Sequence, residues 1–126
     1  MAGPRDRIER GQQAYLSGAA AEDQVAKLYE QQGYTVAERR WRSDAGEIDL
    51  ILRQGAALVF VEVKKSKTSA RAAARITQAQ IERIYASAGQ FLDNEPAGQL
   101  TESRFDVALV DGVGRIEIIE NAFGQG

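Results

Sequence analysis

Hydrophobic positions change period several times along the chain, and each change marks an element. From about Gln13 to Gln32 an alanine-rich stretch carries Leu16, Ala20, Val25, Leu28 and Tyr29 near one helical stripe, and Gly33 supplies a stop. "YTVAERRW" reads as a short strand running into a polar turn at Ser43 to Gly46. Two apolar runs follow, "EIDLILR" and "ALVFVEV", separated by a break containing Gly55, and together they predict a hairpin. After a basic, alanine-rich stretch, Thr77 precedes Gln80 by three residues as in a capping box, ahead of Ile81, Ile84, Tyr85, Ala88 and Leu92 at helical spacing. "RFDVALV" and "RIEIIE" predict two closing strands, turned at Asp111 to Gly114. The order helix, three strands, helix, two strands indicates an α/β chain with a mixed sheet flanked by helices.

The hairpin carries charge where a sealed strand should not. "ALVFVEV" is nearly unbroken and rich in β-branched residues, the pattern of a strand covered on both faces. A lone carboxylate there is disfavoured unless it is paired or bound to a cation. With a turn closing on Gln54 and Gly55, position 49 faces 60 and position 47 faces 62. Strand alternation then puts Glu47, Asp49, Glu62 and Lys64 on one face, with Asp49 and Glu62 as diagonal neighbours roughly 7 to 8 Å apart at the backbone. Two readings fit that placement. The acids converge on one cation, or Glu62 and Lys64 sit half-solvated at the strand end and neutralise each other.

Composition removes many alternatives to oxygen-based chemistry. The chain has 126 residues, an ordinary globular composition of 44% hydrophobic and 27% charged residues, and a length that suits a single domain spanning 1–126, with residues 1–10 flexible. Neither cysteine nor histidine is present. Disulfides, thiol nucleophiles, thiolate zinc sites and imidazole ligands or bases are therefore excluded. An all-oxygen site for a hard cation such as Mg²⁺ remains open. No run of about 18 apolar residues exists, and "MAGPRDRIERG" lacks the apolar stretch of a signal peptide, so no membrane association and a cytoplasmic location are expected. The formal net charge is -2, yet nine basic residues and four acids lie between Arg39 and Arg75.

"GEIDLI", "FVEVK" and "RFDV" followed by "IEIIENAF", with "AAAEDQVAKLYEQQGY" upstream, resemble the motifs of the YraN-like bacterial family, related to the PD-(D/E)xK nuclease superfamily and similar within it to archaeal Holliday junction resolvases. The resemblance runs from about Gly18 to Phe123. It implies a restriction-endonuclease-like three-layer α-β-α fold with a mixed central sheet of about five strands. It further implies a catalytic set in which Glu22 is the first-helix glutamate, Asp49 and Glu62 are the paired acids and Lys64 is the lysine. Asp49, Glu62, the backbone carbonyl of Val63 and Glu22 would hold Mg²⁺ or Mn²⁺, and the reaction would be hydrolysis of DNA phosphodiesters, branched or junction DNA included. A homodimer is expected from the same resemblance.

Phosphate-neutralising contacts are expected from Arg40, Arg42, Lys65, Lys67, Arg71 and Arg75, which flank the site in sequence. Relatives often have a lysine where this chain has Gln80, which can hydrogen-bond a phosphate but supplies no charge. Trp41 is expected to pack against the first helix rather than to stack on a base, and Asp106 to pair with Arg104. Two other function classes stay open. One is a nucleic-acid-binding module with a vestigial nuclease site, and the other is a protein-interaction domain with a structural polar cluster.

Overall fold

The computed structural model describes residues 17–123. The expectations for residues 1–10, and for the part of the first helix before Ser17, lie outside them. Among the described residues, α1 spans Ser17–Gln31, β1 Thr35–Arg42, β2 Glu47–Gln54, β3 Ala57–Lys65, α2 Ser69–Ala74, α3 Gln78–Leu92, β4 Ser103–Val110 and β5 Ile116–Ile119, with a 3₁₀ turn at Gly98–Leu100.

Local chemistry sets the helix ends. Gly33, at φ +95°, closes α1: Tyr34 N–H donates to Tyr29 C=O and Gly33 N–H to Glu30 C=O, the paired bonds of a Schellman ending. Thr77 caps α3 through the reciprocal pair expected from the sequence. Its hydroxyl accepts from Gln80 N–H, and the Gln80 side chain accepts from Thr77 N–H. The basic stretch before it is more ordered than the sequence indicated. Thr68 accepts from Arg71 N–H and starts α2, so six of the residues read as loop are helical.

The five strands lie in the order β1-β2-β3-β4-β5, every pair antiparallel except β3 with β4. A parallel pair needs a long crossover, and α2, α3 and the 3₁₀ turn form it. α1 covers one face: Ala21, Val25, Ala26 and Tyr29 pack on Leu50, Leu52, Val59, Val61, Ala108 and Val110. α3 covers the other, with Ala88 and Leu92 against Ile48, Ile51, Leu58 and Phe60, while Ala72 of α2 packs on Val107 and Leu109. The result is a three-layer α-β-α architecture with a mixed five-stranded sheet. Leu58 to Val61 are all buried, at about 1.5–3 kcal/mol for each large side chain, so β3 cannot slip by one residue without reversing both cores. Among the described residues no helix is long and apolar enough to cross a membrane.

Two departures from a regular sheet position the site. The hairpin turn falls on Gly55 and Ala56, with Gln54 paired to Ala57 and Leu50 to Val61. Gly55 takes φ +61°, which places the reversal one residue later than expected. Each partner shifts by two and parity is kept as far as Leu50 and Val61, where the pairing ends one residue short of Asp49 and Glu62. Second, the strand alternation breaks near Asp49. Leu50 packs under α1 but Ile48 packs under α3. In β1 the same switch separates Arg39, which contacts Asp23 of α1, from Trp41, which packs on Phe91 of α3. Between them Arg40 adopts φ +48°, a left-handed conformation rare outside glycine that re-aims the residues beyond it.

Candidate active site

The site forms where β2 and β3 part. Their backbone pairing ends at Leu50 and Val61, although both strands continue past that point. There the Asp49 carboxylate replaces a backbone acceptor: Val63 N–H donates to Asp49 Oδ2 at 2.8 Å. The unbroken apolar core of β3 pins Glu62, Val63 and Lys64 immediately beyond. Lys64 Nζ lies 3.3 Å from Glu62 Oε1, both side chains largely covered at 17% and 13% exposure. The neutralising pair that the sequence left open is therefore present. α1 brings Glu22 over the same edge, where its Oε1 accepts from Arg40 Nε at 2.8 Å.

Electrostatics show how tightly these acids are gathered. Burial, the charge of Glu62 and a hydrogen bond shared with Glu62 push the Asp49 carboxyl up to about 7, against the lowering effect of the Val63 N–H. Burial also raises Glu22, and the Asp49 and Glu47 charges add to it while Arg40 opposes them. A buried carboxyl whose ionisation is opposed by a neighbouring acid offers, with that acid, the oxygens a hard divalent cation takes. Asp49 and Glu62 fit that role. Among the described residues, however, no group of three or more acidic side chains is arranged to hold a metal ion. Arg40 pairs with Glu22, and Lys64 pairs with Glu62.

The remaining expected contacts divide. Glu47 pairs with Arg42, Nε to Oε2 at 3.1 Å. Arg75 donates to the backbone carbonyl of Lys65 at 2.9 Å, which ties the end of α2 to the end of β3. Gln80 spends its carbonyl oxygen on the cap of α3. Lys67 and Arg71 are exposed beside the β3 end, and Lys65 is half-buried. Trp41 packs on the opposite helix from the one expected, its ring edge-on to Phe91 with centroids 5.2 Å apart, because the switch at Arg40 turns it away from α1.

Asp106 lies apart from this set, in a network only half legible beforehand. Its pairing with Arg104 is as expected, Nε to Oδ1 at 3.0 Å. Fully buried, it also accepts from the Tyr29 hydroxyl at 2.7 Å and from Asn121 N–H at 3.0 Å, and Arg104 reaches the Tyr34 hydroxyl at 3.1 Å. Tyr29 read only as part of an apolar stripe. Its hydroxyl needed a buried partner, and that need was the available signal.

A three-layer α-β-α protein with two acids and a lysine at a parted β2–β3 edge is the class that fold and site define. Residues 21–110 match the family described as Uncharacterised protein family UPF0102, and the chain belongs to it. A UPF0102 protein of Cereibacter sphaeroides is 59% identical over 113 residues, covering 90% of this chain and 97% of that protein. One from Ruegeria pomeroyi is 56% identical over 117 residues, 93% of this chain and 95% of its own length. A third, from Dinoroseobacter shibae, is 47% identical across 93% of this chain and 87% of its own length.

Proposed function

We propose that the protein is a metal-dependent endonuclease that hydrolyses DNA phosphodiesters in the cytoplasm, branched DNA among its substrates. The observation that supports this reading best is the meeting of Asp49, Glu62 and Lys64 where β2 and β3 part, with the Asp49 carboxylate held by Val63 N–H. Asp49 and Glu62 would hold Mg²⁺ or Mn²⁺ together with the Val63 carbonyl, with Glu22 completing the set directly or through water. When bound, such a cation supplies Lewis acidity towards a phosphate oxygen and a nucleophilic water. Lys64 then leaves Glu62 for the phosphate, where its ammonium orients the attacking water or offsets charge on the phosphorus centre. Val63 N–H holds the Asp49 carboxylate in place, and Lys67 and Arg71 neutralise flanking phosphates.

The test is cleavage of a panel of labelled single-stranded, flapped and four-way DNAs in Mg²⁺ or Mn²⁺. Nicking of at least one, lost in Lys64→Ala and Glu62→Ala while the folded signal persists, is the expected result. A second reading, binding without cutting, is favoured by the occupied state of Glu22 and Glu62 and the lack of a three-acid cluster among the described residues. Intact substrates at micromolar protein, with salt-sensitive binding, would establish that reading instead.

A further inference from the structure

The three arginines near the β1 end each hold an acid, and only one of those acids belongs to the proposed ligand set. Arg39 takes Asp23, Arg42 takes Glu47 and Arg40 takes Glu22. The Arg40 pair is lopsided: Glu22 is 14% exposed while Arg40 is 53% exposed, so the acid stays fixed and the base is free to leave. The contact engages Nε, and the two terminal nitrogens of the fork make no hydrogen bond to a described residue. Arg40 also stands within the fields of Glu47 and Asp49, at the one position in β1 whose backbone is left-handed. A strained conformation kept beside a cluster of acids is one the surrounding structure enforces.

We infer that Arg40 is a tethered counter-ion that Glu22 releases when a divalent cation binds, so that cation binding delivers a guanidinium to the substrate's phosphate. This rests on the proposed cation site and goes beyond it, because it assigns Arg40 a positioning role that changes with the bound state. A carboxylate cannot serve a hard cation and a guanidinium equally well. Once released, a planar fork with free terminal nitrogens suits a phosphate bidentately. Linkage makes the effect reciprocal: cation tightens polyanion binding, and polyanion tightens cation binding by the same factor.

The experiment pairs calorimetric titration of Ca²⁺ with anisotropy of a labelled four-way DNA junction, in Ca²⁺ and in EDTA, for the wild type and Arg40→Gln. Arg40→Asn serves as a second variant, since asparagine tolerates the left-handed backbone. Both variants should bind Ca²⁺ about tenfold more tightly, because their competitor for Glu22 is gone. Their junction affinity should fall about tenfold further below the wild type in Ca²⁺ than in EDTA. Equal losses in both conditions, or a Ca²⁺ affinity unchanged or weakened, would overturn the inference while leaving the cation site intact. A wild type that takes up no Ca²⁺ would overturn the site itself, and the inference with it.

Discussion

Asp49 is the residue at which site and stability conflict most directly, and Asp49→Asn makes the conflict measurable without any assay of activity. Asparagine keeps an oxygen for Val63 N–H and removes the charge that burial and Glu62 oppose. The carboxyl goes from 3.8 to about 7 on folding, so the folded state holds the proton more tightly than the unfolded chain does. Stability from that proton is fully present below the unfolded value and is lost as pH rises through the folded one. About three pH units at about 1.4 kcal/mol each set a ceiling of about 4 kcal/mol, and residual hydration of the half-open cleft reduces it to about 2–3 kcal/mol. In EDTA near pH 8, Asp49→Asn should therefore be more stable than the wild type by about 2–3 kcal/mol, which moves the urea midpoint by about 1–2 M. Below the unfolded value, near pH 3.5, the two should agree within about 0.5 kcal/mol. A variant no more stable at the higher pH, or a difference that does not change with pH, would refute the reasoning.

Glu62→Ala should abolish Mg²⁺ uptake in calorimetry while circular dichroism stays native, because Glu62 lies past the buried run that holds β3. Asp106→Ala should cost about 3–5 kcal/mol in urea unfolding, since it strands Arg104 and the Tyr29 hydroxyl, whereas Tyr29→Phe should cost about 1–2 kcal/mol. Neither should alter cation titration, and a change there would mean that the buried network communicates with the β2–β3 edge. Lys67→Ala with Arg71→Ala should weaken DNA binding uniformly across sequences and lower the slope of log affinity against log salt by about one per lost phosphate contact.

Much of this fold was legible because its signals are local. The Thr77 and Gln80 capping box, the Gly33 stop and the runs in β2 to β5 each follow from a handful of neighbouring residues. The meeting of Asp49, Glu62 and Lys64 was legible too, although β2 breaks its alternation beside Asp49. The register of the hairpin was not, because that depends on which residue takes the positive φ in "QGAA". Trp41 was assigned to the wrong helix for a related reason. Strict alternation predicts one face for Arg39 and Trp41, and nothing in "ERRWR" announces a left-handed arginine. The α2 turn was missed because six residues give too short a period to read, and its stability comes from Ala72 packing on β4 rather than from its own sequence.

The lack of a three-acid cluster among the described residues bears little on the choice between the two functional readings. Acids gathered in a covered cleft without a cation must be neutralised by something, or they would disperse or protonate. Here Lys64 and Arg40 supply tethered positive charge to Glu62 and Glu22, while Asp49 accepts from Val63 N–H and burial pushes its carboxyl up. A working cation site and a vestigial one would look alike in that state, since both need the same balance. They differ in whether the tethered charges yield to a divalent cation. Arg40 is held at one nitrogen and half exposed, and Lys64 is flexible along its stem, so exchange asks for no change in the backbone. The question of cutting or merely binding therefore turns on the competition for Glu22 and Glu62, and a Ca²⁺ titration reads that competition directly.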